Sequence, residues 1–79
     1  MLRAWVMKSK ELIGKEVIDS EARYMGTIKD MEIDLKKWAV TGVVVKTGFL
    51  RSKVVAVSDI DKVGDKVMLK VTLDRVQNL

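Results

Sequence analysis

Asp30, Glu32 and Asp34 recur at every second position, which on an extended strand lines three carboxylates along one face. Oxygen ligands of this kind suit hard cations such as magnesium or calcium. A flat strand does not wrap a cation, however, and the same spacing describes a solvated outer face paired with lysines on neighbouring strands. The second reading is adopted. Asp59-Ile60-Asp61-Lys62-Val63-Gly64 follows the opening of a calcium loop only superficially, since Val63 takes the fifth position and Lys70 the twelfth, where a bidentate Glu is required. Ile13-Gly14-Lys15-Glu16 is no phosphate loop either: its earlier Gly is missing, and Glu16 stands where a hydroxyl must hold magnesium. No dinucleotide fingerprint is present, so neither metal nor cofactor is expected.

The chain has no Cys and no His. Thiolate nucleophiles, imidazole bases, disulfides and thiolate or imidazole metal sites are thereby excluded. Carboxylate, Lys or Tyr chemistry stays formally open, but no constellation supports it. No catalytic residue is assigned, and the expectation is a non-enzymatic protein.

Two clusters join cations to aromatic rings. Lys36, Lys37 and Trp38 share one expected turn; Phe49, Arg51 and Lys53 lie near another. Single-stranded RNA is bound by this mixture, with bases stacked on rings and phosphates on cations. Only four aromatic residues occur in the chain, and Trp38 and Phe49 could equally plug the ends of a barrel. Contact with a protein through Lys36, Lys37, Trp38, Phe49 and Arg51 is the favoured use, because Trp, Phe and Arg anchor interfaces.

At 79 residues the chain makes one domain. A domain of this size buries roughly 60–65 % of the surface that its unfolded chain exposes, which leaves it marginally stable. With disulfides and metals excluded, self-association is the remaining support, and a homodimer is expected. Fifteen basic residues against eleven acidic ones give a net charge of +4, spread along the chain, as on an ordinary solvated surface with weak attraction for anions. No apolar run approaches the ~20 residues of a membrane span, and the opening residues are too short for a secretory leader. A cytoplasmic protein without membrane insertion is the expectation. Asn and Gln occur once each, a composition that hints at a heat-adapted source.

The elements follow from the pattern. Residues 2–7 alternate as a short strand, Ser9 is expected to cap a brief helical turn over residues 10–13, and Gly14 ends it. Residues 16–19 are extended, and residues 20–25 form a loop closed by Gly26. Residues 26–35 read as a strand whose alternation slips by one: Ile28 shares parity with the carboxylates, whereas Met31, Ile33 and Leu35 have the other. A β-bulge near Lys29 and Asp30 repairs the pattern, and bulged strands bend, which lets a small sheet curl. Residues 38–46 are β-branched strand, with Gly42 marking a bend or close backbone approach. Thr47-Gly48 signals a turn, residues 53–57 a strand, residues 58–61 a turn or single helical turn, and Gly64 a reversal with positive φ. Residues 66–74 alternate most regularly of all and predict a long last strand able to pair with a second subunit. Five or six short antiparallel strands with reversals roughly every 8–12 residues read as a small all-β, partly open barrel with one helical turn.

Leu12-Ile13-Gly14-Lys15-Glu16-Val17, Asp19, Gly26-Thr27-Ile28, Asp30-Met31, Ile33-Asp34, Val57-Ser58-Asp59-Ile60 and Val63-Gly64-Asp65-Lys66-Val67 together resemble the PRC-barrel domain. That family is named for the photosynthetic reaction-centre H subunit and includes the barrel domain of the ribosome maturation factor RimM. The resemblance covers a core of about residues 10–69 within a single domain of residues 1–79. Residues 1–8 and 70–79 are then flanking strands, with Trp5, Val71, Leu73 and Val76 as a possible dimer seam. It looks most like the small stand-alone archaeal members. Gly14, Gly26, Asp30, Gly42, Asp59 and Gly64 are read as fold-building positions: the glycines at reversals or close approaches, and Asp30 and Asp59 as acceptors for freed backbone N–H groups. Ala56 departs from the family's frequent Pro at that place. The resemblance implies binding rather than chemistry: an adaptor of archaeal cell division contacting the division-ring protein SepF. The alternative it implies is an RNA- or ribosome-associated factor like the barrel of RimM.

Overall fold

The computed structural model describes residues 6–75. Six strands form a single sheet: β1 (Glu16–Ile18), β2 (Tyr24–Asp34), β3 (Ala39–Gly48), β4 (Arg51–Ala56), β5 (Ile60–Val63) and β6 (Val67–Leu69), in the order β4-β3-β2-β1-β6-β5. All neighbours are antiparallel except β1 and β6, which run parallel with Val17 opposite Val67. That parallel pair corrects the all-antiparallel expectation. The sheet curls without closing: the chain crosses from edge strand β4 to edge strand β5 through one 3-10 turn, Val57–Asp59. The result is a small, partly open β-barrel.

β2 carries the curl. Ile28 lies opposite Val45 and Asp30 opposite Val44, so Lys29 is the extra residue of a β-bulge at the position the alternation indicates. The slip returns Ile28 and Met31 to one face, opposite Val45 and Val43. The Asp30 carboxylate accepts the Met31 N–H at 2.8 Å, as a short acidic side chain beside a disrupted ladder can. A second irregularity, unforeseen in the sequence, follows between Glu32 and Ile33, where Thr41 is the extra residue on β3. The Thr41 hydroxyl reaches the Glu32 carbonyl at 3.4 Å.

The core within this curl is small and apolar: Val17, Met25, Ile28, Val43, Val45, Val55, Val67 and Leu69, with Leu12, Ile60, Val71 and Leu73 packed against it. Fully burying each such side chain is worth about 1.5–3 kcal/mol. One helical turn, α1 (Ser9–Leu12), precedes the barrel. Lys8 occupies its N-cap and no side chain bonds there, so Ser9 is inside the turn and is not its cap. Gly14 then reverses the chain with φ +97° and donates its N–H to Ile28 at 2.7 Å, which docks the helix on β2.

Several expectations change. The regular alternation of residues 66–74 does not make a long strand, because β6 ends at Leu69 and a 3-10 turn occupies Leu73–Arg75. The residues after Leu69 fold back onto the molecule: the Val71 carbonyl accepts the Ser20 N–H at 3.0 Å, and Val71 and Leu73 are turned onto the core. Gly26 is not at a reversal but inside β2, where a Cβ would run into the Lys46 carbonyl. Gly64 lacks a positive φ; it serves its turn through the backbone, donating to the Lys66 carbonyl at 3.0 Å and accepting Lys15 Nζ at 2.6 Å. Asp59 likewise acts through its carbonyl, which takes the Lys70 N–H at 2.8 Å. Of the expected first strand, residues 1–5 lie outside the described residues, and residues 6–8 are irregular.

The anchor of this end of the fold is Asp19, the one buried charged side chain among the described residues. One carboxylate oxygen accepts the N–H groups of Glu21 and Arg23 at 2.9 and 2.8 Å. The other accepts Arg23 Nε at 2.8 Å and the Leu73 N–H at 3.0 Å, tying the β1–β2 loop to a segment 54 residues away. Burial alone would raise this carboxyl, but the N–H donors of Arg23, Leu73 and Glu21 and the guanidinium outweigh it and lower the pKa from 3.8 to about 2.

The stability that Asp19 contributes is therefore complete above pH 3.8 and lost as pH falls through about 2. Denaturant midpoints followed from neutral pH into this range should drop for the wild type. Asp19→Asn should start lower at neutral pH and show a flatter acid branch; an unchanged acid profile would refute the assignment. Gly26→Ala should cost roughly 2–3 kcal/mol, since backbone on two strands must shift. Gly64→Ala, which meets open space, should stay within about 1 kcal/mol of the parent in the same measurement.

Candidate functional site

β2 is eleven residues long and β1 only three, so the outer half of the β2–β3 hairpin has no β1 beside it. Its inner face is apolar but uncovered by the described residues: Ile33 is 54 % exposed, Leu35 68 % and Val40 41 %. At the foot of this face Met7, Leu12, Met31, Val40, Val43, Val57 and Ile60 line a groove of about 230 Å³. Ser9 and Lys8 give its only polar rim. α1 supplies one wall, β2 and β3 the floor, and the 3-10 turn with β5 the other wall.

The hairpin tip holds Trp38, 79 % exposed. Asp34 organises the turn, its carboxylate accepting the N–H groups of Lys36 and Lys37 at 2.9 and 3.2 Å. Trp38 closes it with φ +52°, a left-handed conformation costly for any residue with a Cβ. Asp30 and Asp34 are thus engaged with backbone N–H groups, and among the described residues no group of acidic side chains is arranged to hold a metal ion.

The second basic–aromatic cluster lies elsewhere. β3 carries ten residues between the two tips, about 30 Å of extended chain, so Lys36, Lys37 and Trp38 sit at one end and Phe49 and Arg51 at the other. They do not form one surface. At the β3–β4 tip Phe49 is 85 % and Leu50 89 % exposed. Leu50 has φ +61°, where glycine is the ordinary occupant.

Of the seam positions, Val71 and Leu73 are half-buried against the chain's own core, while Trp5 and Val76 lie outside the described residues. Sequence reasoning missed the groove residues Leu12, Met31, Val57 and Ile60. The signal lay in the apolar parity of Met31, Ile33 and Leu35, which continues past the length that the short preceding strand can cover. Among the described residues no helix is long and apolar enough to cross a membrane.

Leu50→Gly should raise the unfolding free energy by about 0.5–1 kcal/mol, seen as a higher denaturant midpoint, because the relief of a left-handed Leu exceeds the extra chain entropy of glycine. A loss of stability would mean that the Leu50 side chain is held by contacts despite its exposure.

A comparison with curated proteins finds no match. The curled, partly open six-stranded sheet fits a wider grouping, for the family model of the PRC-barrel domain matches residues 6–76, nearly the whole chain, and the chain belongs to the PRC-barrel domain family.

Proposed function

We propose that this protein is a non-enzymatic protein-binding module, an adaptor that takes an apolar segment of another protein into the groove between α1 and the β2–β3 hairpin. The observation that carries the reading is the apolar groove reaching Val40, together with the exposed Ile33, Leu35 and Trp38 on the same hairpin, exposed apolar surface of a kind that marks interaction sites. Trp38 is suited to anchor such contact, and Lys36 and Lys37 beside it would favour an acidic rim on the partner.

Self-association belongs to the same proposal. A core of eight buried apolar side chains is small, and covering the hairpin face with a second copy would add to it. By analogy with the stand-alone archaeal members, the partner proposed is the division-ring protein SepF, with action in the cytoplasm. A function on RNA or the ribosome, as in RimM, draws less support, since the two basic–aromatic clusters lie at opposite ends of β3 and offer no single track for a strand.

Sedimentation velocity at micromolar concentration is expected to detect a dimer for the wild type and a monomer for Leu35→Ser with Trp38→Ser. Capture of partners from a native lysate should survive nuclease treatment and fail with Val40→Asp, provided circular dichroism shows the variant folded. Loss of partners on nuclease treatment would overturn the adaptor reading in favour of RNA.

A further inference from the structure

The β3–β4 tip is chemically unlike the groove. Phe49 and Leu50 project together at the two-residue connection between β3 and β4, and both are almost fully exposed. Cations surround them. Lys29, Lys46 and Arg51 line a cleft of about 240 Å³ with the two apolar side chains, and Lys53 lines the cleft on the other side of Leu50. On the third side exposed Tyr24 borders Phe49 together with Lys46. No Asp or Glu lines any of these clefts. None of the four cations makes an ion pair among the described residues.

Leu50 sharpens the point. The turn needs a left-handed residue there, and the chain supplies one of the most apolar side chains in place of glycine. The fold derives nothing from it, since the side chain is 89 % exposed. An apolar wedge of two side chains, a phenol beside it and a ring of unpaired cations match the layers of a bilayer surface. The wedge fits the acyl boundary, the phenol the headgroup level, and the cations the anionic headgroups.

We propose that the Phe49–Leu50 tip docks this protein peripherally on an anionic lipid surface. The seating is shallow and does not span the membrane, and it goes beyond the protein-binding reading: it shares no residue with the groove or the Trp38 tip, and it reassigns to lipid Phe49 and Arg51, which the sequence pointed toward protein contact. A wedge of two side chains binds little by itself, and the cations bind little at high salt, so both are needed together.

Flotation with vesicles of phosphatidylglycerol mixed equally with phosphatidylcholine tests the proposal, pure phosphatidylcholine vesicles serving as the neutral arm. The wild type should float with the anionic vesicles and stay behind with the neutral ones, and salt near 1 M should release it. Arg51→Ala with Lys53→Ala should lower partitioning about 30-fold, roughly fivefold for each charge near the surface. Phe49→Ser with Leu50→Gly should lower it at least about tenfold; glycine relieves the turn, so this variant keeps its fold, which circular dichroism checks. Equal binding to neutral vesicles, no binding to anionic ones, or full binding by the Phe49→Ser, Leu50→Gly variant would each overturn the proposal. So would tight, Phe49-dependent binding of a single-stranded RNA oligomer by a protein that ignores the vesicles, which would assign the tip to nucleic acid.

Discussion

β2 must pair with β1 at its start and with β3 along most of its length while bending between the two, and the rest of the structure depends on that bend. Two features supply it. Gly26 lets the backbone of β2 approach Lys46 more closely than any side chain permits, and the bulge at Lys29 adds the residue that turns the strand. Without the bulge, Ile28 would face solvent among the carboxylates and the core would lose one of its largest members. Without the close approach, Val45 and Ile28 could not share the interior.

The bend also decides what remains uncovered. A curled sheet of short strands encloses only the inner half of its longest hairpin, and the outer half keeps its apolar parity without a neighbour. The exposed face of Ile33, Leu35 and Val40 is therefore a geometric consequence of one long hairpin set among strands of three to six residues. The same length separates the two tips. One lies beyond the exposed Ile33, Leu35 and Val40, and the other carries its own cations.

Much of this was legible in the residues. A phase slip in an alternating pattern has few physical solutions, and the bulge is the cheapest, so the bulge at Lys29 was legible, whereas the second irregularity beside Ile33 was not. Gly14 and Gly42 were legible because a helix end and a crowded strand leave few alternatives. The last segment was not. Val67, Leu69, Val71 and Leu73 alternate as a strand would, but after Leu69 the chain finds better partners in Asp19 and Ser20. Alternation counts which side chains are buried and cannot tell a strand from a turn that buries the same ones. Asp19 itself was hidden for the same reason: its partners are backbone N–H groups, one of them contributed from 54 residues away, and backbone donors leave no mark in residue types. The separation of the basic–aromatic clusters was hidden as well, since closeness in sequence says nothing of which end of β3 a turn occupies.

The two tips bear on how one small domain could serve two partners. Each turn places a bulky residue, Trp38 or Leu50, in a left-handed conformation that a glycine would adopt without strain. Strain of this kind persists only where the surroundings hold it, and here the surroundings are short turns fixed by the register of β2, β3 and β4. Neither side chain is buried, so neither contributes to the core in return. Strain without compensation inside the molecule points to compensation outside it. At Trp38 the neighbouring exposed residues of the hairpin, Leu35 and Val40, are apolar, which would suit the protein segment proposed above. At Leu50 it is a ring of cations without carboxylates, which fits an anionic surface. β3 runs between them and sets the two tips at opposite ends of about 30 Å of extended chain.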